Sequence, residues 1–135
     1  MNVFVDSNIF IYSVTDTDKV KASKSFAILD SNRRNISISS QVINEVGFNL
    51  LRKLSFSEDK LVSFLSNMAD LYNVMPITKE THVLASSLRL KYNVSYWDSL
   101  ILATALEASS EKIYSEDMQD GLVVENKLKI INPFK

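Results

Sequence analysis

Four acidic residues spread through the 135-residue chain fall where a strand ends or a helix begins: Asp6 in VFVDSN, Glu45 in VINEVG, Asp98 in YWDSLI and Asp117 in YSEDMQDG. Carboxylate oxygens are ligands for hard divalent cations. Two such cations about 4 Å apart can ready an attacking water and stabilise the oxygen that leaves a phosphodiester. Crowded carboxylates repel one another, and bound cations relieve that repulsion. If the fold gathers these four residues, the chain reads as a metal-dependent phosphodiesterase. The expected ion is Mg²⁺ or Mn²⁺, because Zn²⁺ recruits Cys or several His, and this chain has one His and no Cys.

Each acid also has a plainer reading. Asp6 follows a strand and suits a helix cap, a task that Ser7 or Asn8 could share. Glu45 lies between Val42 and Phe48 around a helix, yet nearer to Asn49 and Arg52, which also describes a solvated edge. Asp98 shares a face with Ile101, Leu102 and Ala105 on a helix that is apolar on nearly every side. A carboxylate buried there is costly unless paired, and the helix N-terminus offsets only about 0.3 to 1 kcal/mol of that cost. Asp117 shares its turn with Glu116 and Asp120, either of which is an alternate acid, and such a turn is also an ordinary solvated loop. His82, in a polar stretch at the start of a helix, reads as a surface residue.

The elements that must position these residues follow from hydrophobic spacing. Asn2 to Val5 reads as a buried strand, followed by a turn or helix cap at Asp-Ser-Asn. Ala22, Phe26, Ile28 and Leu29 predict a helix over 19–30 behind candidate caps Asp16, Thr17 and Asp18. Strand 36–39 precedes a helix over 42–53. A further helix runs from about Ser57 to Tyr72, then a short strand over 74–77 with Pro76 at its edge, then a helix over 78–92. The stretch 97–108 predicts a helix packed inside the domain, and 112–114 and 128–131 are two last strands separated by a turn at Asp120-Gly121. This alternation predicts a single α/β domain over 1–135 with a mainly parallel sheet of four to five strands between helical layers. In such sheets, ligands bind outside the strands' C-terminal ends, near a topological switch point. Asp6 and Asp117 follow strands, and Glu45 and Asp98 are expected in the first turns of helices whose N-termini point to the same edge.

Composition sets outer bounds. With 46% hydrophobic residues, 23% charged, two Gly and two Pro, the chain is that of an ordered globular protein. The absence of Cys rules out a disulfide framework and a thiolate metal site. No cationic leader followed by an apolar run marks the N-terminus, and the apolar stretch Leu100 to Leu106 is short of the roughly twenty residues that span a bilayer. A cytoplasmic protein without a membrane role is expected. The net charge of −1 does not announce a nucleic-acid partner, but with four acids sequestered around cations the remaining residues carry +3.

With these residues placed, the chain resembles the PIN-domain ribonucleases, and within them the VapC-like toxins of bacterial and archaeal toxin-antitoxin pairs. The resemblance rests on VFVDSNIFIY, SSQVINEVGFNLLRK, YWDSLILATAL, and KIYSEDMQDG followed by LKIINPF, in that order and over essentially the full chain. It implies a three-layer α/β/α domain, divalent-cation-dependent endonucleolytic cleavage of RNA, and Asp6, Glu45, Asp98 and Asp117 as catalytic metal-binding residues. It further implies that Asn8 and Ser115 assist by positioning water or orienting a carboxylate, that the protein is a homodimer, and that a partner antitoxin inhibits it. Phe48, Leu51, Phe56 and Phe64 are candidates to receive a partner helix, or else core residues. Lys19, Lys21, Lys24, Arg33, Arg34, Arg52 and Lys53 are candidates to guide RNA phosphates, or else a solvated face.

Three other readings compete. An RNA-processing PIN nuclease outside any toxin-antitoxin pair would share the same acids. A phosphatase or phosphoacceptor using Asp6 as nucleophile wants an Asp two residues later, where this chain has Asn8, and leaves Asp98 unexplained. A non-catalytic RNA-binding or protein-interaction module would keep the acids for a structural ion only.

Overall fold

The computed structural model describes all residues, 1–135. In chain order the elements are β1 (Val3–Val5), α1 (Ser7–Ser13), α2 (Lys19–Ser31), β2 (Ile36–Ser39), α3 (Ser40–Lys53), α4 (Glu58–Leu71), β3 (Asn73–Met75), α5 (Lys79–Tyr92), α6 (Tyr96–Glu107), β4 (Lys112–Tyr114), β5 (Val123–Val124) and β6 (Leu128–Ile131). They form one six-stranded sheet in the order β3-β2-β1-β4-β6-β5, parallel throughout except for the β5–β6 pair. The sheet is therefore wider than the expected four to five strands. The added strand is the two-residue β5, too short to carry a hydrophobic period.

The central strands are buried on both faces, as VFV and ISIS require. Helix α3 packs on α4 and on α1, α1 packs on α2, and α5 packs on α6. Strand β2 touches both α3 and α6, one from each helical group, which gives the three-layer α/β/α arrangement. Phe4, Ile38, Leu50, Leu102 and Ile130 have no exposed surface. Each fully buried side chain of this size contributes about 1.5–3 kcal/mol.

Most helices start on side-chain caps. Asp18, Ser39, Ser57 and Ser95 each accept from a backbone N–H of the first turn, and Thr78 forms a capping box with Thr81. Helix α6 is buried from Ser99 to Ala105, as its all-round apolar sequence demands. Its Thr104 hydroxyl returns to the Leu100 and Ile101 carbonyls, so no polar atom is stranded there. On α3, Gly47 permits a close approach to α4, since a Cβ at that position would meet Leu65 Cδ1 at 3.4 Å.

Candidate active site

From β1 the chain crosses to β2 and β3 on one side and later returns to β4 on the other, so the switch point lies between β1 and β4. The parallel register pairs Val5 with Tyr114, and the Asp6 N–H donates to the Tyr114 carbonyl at 3.0 Å. Asp6 and Ser115 therefore emerge side by side from the C-terminal ends of the two strands. The Ser115 hydroxyl donates to Asp6 Oδ2 at 2.8 Å, and the Ser7 N–H donates to Oδ1 at 2.8 Å. Asp6 is thus the cap of α1 as well as a member of the acidic edge.

The other acids are tied in by short polar side chains. Ser7 Oγ donates to Glu45 Oε2 at 3.0 Å, and Gln41 Nε2 donates to Glu45 Oε1 at 3.0 Å while also reaching the Trp97 carbonyl. Asn8 Nδ2 donates to Asp117 Oδ2 at 2.9 Å, and the Asp117 N–H donates to Ser115 Oγ at 3.3 Å. Asp98 lines a cleft with Asp117 and Ser95, the cap of its own helix. Glu45 is placed differently from expectation: α3 begins at Ser40, so Glu45 lies in the second turn and not the first.

Electrostatics link the four into a ring. Burial pushes the Asp6 carboxyl up from its ordinary 3.8 to about 6, the Ser115 and Ser7 hydrogen bonds oppose this, and the charges of Glu45 and Asp117 add to the rise. Asp98 is also raised, by burial first, then against its Ser95 bond by the charges of Asp117 and Glu45. Each acid therefore acts on, or is acted on by, two others. No three of the chain's His, Asp and Glu side chains stand together as a finished cation cage. The carboxylates of Asp6, Glu45 and Asp117 are spoken for by Ser7, Gln41, Asn8 and Ser115, and the like charges of the four acids favour separation. An all-oxygen donor set with unrelieved repulsion fits a hard divalent cation.

The alternate acids separate from this ring. Both Glu116 oxygens are taken, by Tyr12 Oη at 2.7 Å and by Lys21 Nζ at 2.5 Å. Burial raises the Glu116 carboxyl, but those two partners hold it below the usual range. Asp120 Oδ1 accepts from the Asn132 N–H at 2.8 Å. His82 is exposed. Gln41 has no place in the sequence reading, and Ser7 enters it only as a candidate cap, not as a donor to Glu45. Gln41 stands four residues before Glu45 on one helix, a spacing that could have disclosed it. Ser7 became meaningful only once α1 was seen to start there.

Among the candidate partner-binding residues, Phe48 and Leu51 are exposed, whereas Phe56 and Phe64 are half-buried and meet edge to face with centroids 6.3 Å apart. Of the candidate phosphate guides, Lys21 is engaged by Glu116 and Arg33 by Asp30, Arg52 lies over the Phe48 ring, and Lys19, Lys24, Arg34 and Lys53 are exposed.

A parallel α/β sheet with polar groups converging at its switch point defines a class of doubly wound domains that bind ligands at that edge, and comparison narrows the class. The PIN domain family matches residues 3–119, and the chain belongs to that family. Its fold is similar to that in a toxin-antitoxin complex from Klebsiella pneumoniae, at 21% identity over 98% of both chains with a TM-score of 0.73. It is also similar to Mycobacterium tuberculosis VapC20, a toxin that cleaves the sarcin-ricin loop, at 14% identity over 83% of this chain and 87% of that one, TM-score 0.69. A third similar structure is VapBC2 from Rickettsia felis bound to a fragment of promoter DNA, at 17% identity over 98% of this chain and 100% of that one, TM-score 0.66. No curated protein matches the chain in sequence.

Proposed function

We propose that this protein is a divalent-metal-dependent endoribonuclease of the VapC-like kind and the toxin of a toxin-antitoxin pair, acting in the cytoplasm. The observation that carries the reading is geometric: at the switch point of a PIN fold, buried Asp6 is tied to Ser115, Glu45 to Ser7 and Asp117 to Asn8 and Ser115, and Asp98 shares a cleft with Asp117. These four residues would hold Mg²⁺ or Mn²⁺. When bound, the ion supplies a readied water and charge stabilisation at the leaving oxygen of the phosphodiester.

The chain's own residues do the rest. Ser115 and the Ser7 N–H hold Asp6 toward its charged form, Gln41 and Ser7 fix Glu45, and Asn8 orients Asp117. Asn8 also lines a cleft with Asn49 and Lys53, and on this reading that cleft offers a cation and amide donors to a phosphate of the strand. Support for an antitoxin comes from the toxin-antitoxin assemblies among the similar folds. It comes also from an apolar groove of about 420 Å³ lined by Phe10, Phe26, Leu29, Phe64, Leu71 and Tyr72.

Purified protein should cleave single-stranded or loop RNA with Mg²⁺ or Mn²⁺, and EDTA or Asp98→Asn should abolish cleavage while the circular dichroism spectrum stays native. Full activity in the Asp98→Asn protein would sink the four-acid mechanism. Expression should arrest growth, and Asp6→Asn should relieve the arrest. Cleavage without arrest would point to an RNA-processing nuclease in place of a toxin.

A further inference from the structure

Glu116 adjoins Asp117 on the turn after β4, yet its carboxylate is gripped by parts of the chain remote in sequence. Tyr12 on α1 donates to Oε1 at 2.7 Å and Lys21 on α2 lies 2.5 Å from Oε2. Lys21 Nζ sits 4.8 Å from the Tyr12 ring centroid and 5.3 Å from that of Phe134, and these two rings meet edge to face with centroids 5.3 Å apart. The Glu116 carbonyl accepts from Asn132 Nδ2 at 3.3 Å, and Asp120, further along the same turn, accepts from the Asn132 N–H at 2.8 Å. The turn is therefore held at both ends.

Helix α1 grips it twice. Asn8 and Tyr12 are four residues apart and share one helix face. Asn8 takes Asp117 at 2.9 Å, and Tyr12 takes the neighbouring Glu116. The side chains of Lys21 and Glu116 are 31% and 23% exposed. A partly solvated pair of this kind contributes modestly to stability. Three elements and the C-terminal tail nevertheless converge on it, so its larger consequence is geometric.

We propose that Glu116 is a positioning residue: through Tyr12 and Lys21 it sets where the Asp117 carboxylate stands, and hence how tightly the acidic site takes a divalent cation. The inference rests on the metal reading of the function proposed above. It gives Glu116 a task distinct from that of a metal ligand.

The test is titration of the full chain with Mn²⁺ alone, in the absence of RNA, followed by calorimetry, beside urea unfolding in EDTA. Glu116→Gln preserves shape and removes the charge that holds Lys21. It should weaken Mn²⁺ binding at least about tenfold, the scale on which groups behind a metal ligand act. Tyr12→Phe, which keeps the ion pair, should weaken binding less, and serves if Glu116→Gln fails to fold.

Glu125 supplies the control. It accepts from Lys91 and Tyr92 in the same chemical pattern, on the turn between β5 and β6, and has none of the four acids as a hydrogen-bond partner. Glu125→Gln should leave Mn²⁺ affinity unchanged. Lower stability with unchanged affinity in both Glu116→Gln and Tyr12→Phe overturns the proposal, as does an equal loss in Glu125→Gln. A wild-type protein that binds no Mn²⁺ overturns the underlying metal reading, a result distinguishable from equal binding by wild type and variant.

Discussion

Replacing Asp6 by Asn should stabilise the metal-free protein, by an amount that grows with pH. Asp6 is 4% exposed and its carboxyl is pushed to about 6, chiefly by burial, with the Glu45 and Asp117 charges adding. In the unfolded chain it returns to its ordinary 3.8. Between those two values the folded state holds a proton that the unfolded state has released, so stability falls as pH rises. The contribution is fully present below 3.8 and is lost as pH passes through about 6. At 1.36 kcal/mol per pH unit, the loss by pH 7 is about 3 kcal/mol.

Asn does not titrate and preserves the contacts: its Oδ1 can accept from the Ser7 N–H and its amide can donate to Ser115 Oγ. The stability difference between Asp6→Asn and wild type should therefore grow by about 2.4 kcal/mol from pH 4 to pH 7, the first ~0.6 kcal/mol having already appeared by pH 4. Urea unfolding in EDTA at several pH values, followed by circular dichroism, measures it. Mn²⁺ at a hundred times its dissociation constant should then restore about 2.7 kcal/mol to the wild type and much less to the variant. A stability difference that stays flat with pH, or a variant weaker than wild type at pH 7, would refute the reasoning.

Ser115→Ala removes a hydroxyl that donates to the charged form of Asp6, so the Asp6 carboxyl should titrate above its present value of about 6, read by carbon NMR of the metal-free protein. An unchanged or lower titration point would show that this bond does not hold Asp6 in its charged form. Leu102→Ala, at a core position with no exposed surface, should cost about 2–5 kcal/mol in urea unfolding and leave the acids in place.

The strands and helices with the strongest sequence signals were legible, and the departures have local causes. Strands 36–39, 112–114 and 128–131 stand where the buried apolar runs place them. Helix α1 was not foreseen beyond a cap, because SNIFIYS carries β-branched and aromatic residues of low helix propensity. Asp6 capping its start and burial of Ile9 and Phe10 override that propensity. The chain reverses between β5 and β6 at Glu125 and Asn126, both at positive φ, and not only at Asp120-Gly121. Two successive residues at positive φ suit a tight hairpin, but Glu is a poor cue for one. What holds Glu125 there is tertiary: Lys91 and Tyr92 from α5.

The separation between Asp117 and its acidic neighbours was equally illegible, because it depends on α1, α2 and the C-terminal tail meeting. Local chemistry gives Glu116, Asp117 and Asp120 the same standing, whereas the fold gives each a different partner: Lys21 with Tyr12, Asn8, and the Asn132 backbone.

Asp6 and Ser115 are distant in sequence but adjacent in space, because parallel pairing of β1 with β4 puts Val5 against Tyr114. The next residue of each strand then has to fill the switch point. A carboxylate there is destabilising by itself, and the rise of its carboxyl to about 6 measures how far burial and neighbouring charges disfavour its ionised form. A bound cation would act on the same terms, replacing lost hydration and cancelling the repulsion from Glu45 and Asp117. On the proposed reading, metal-free stability and cation affinity are thus opposed at one atom pair. A substitution that relieves Asp6 should strengthen the empty fold and weaken the loaded one, and a substitution at Glu116 should loosen the site with little relief at Asp6. The two classes of variant separate the pressure that creates the site from the scaffold that shapes it.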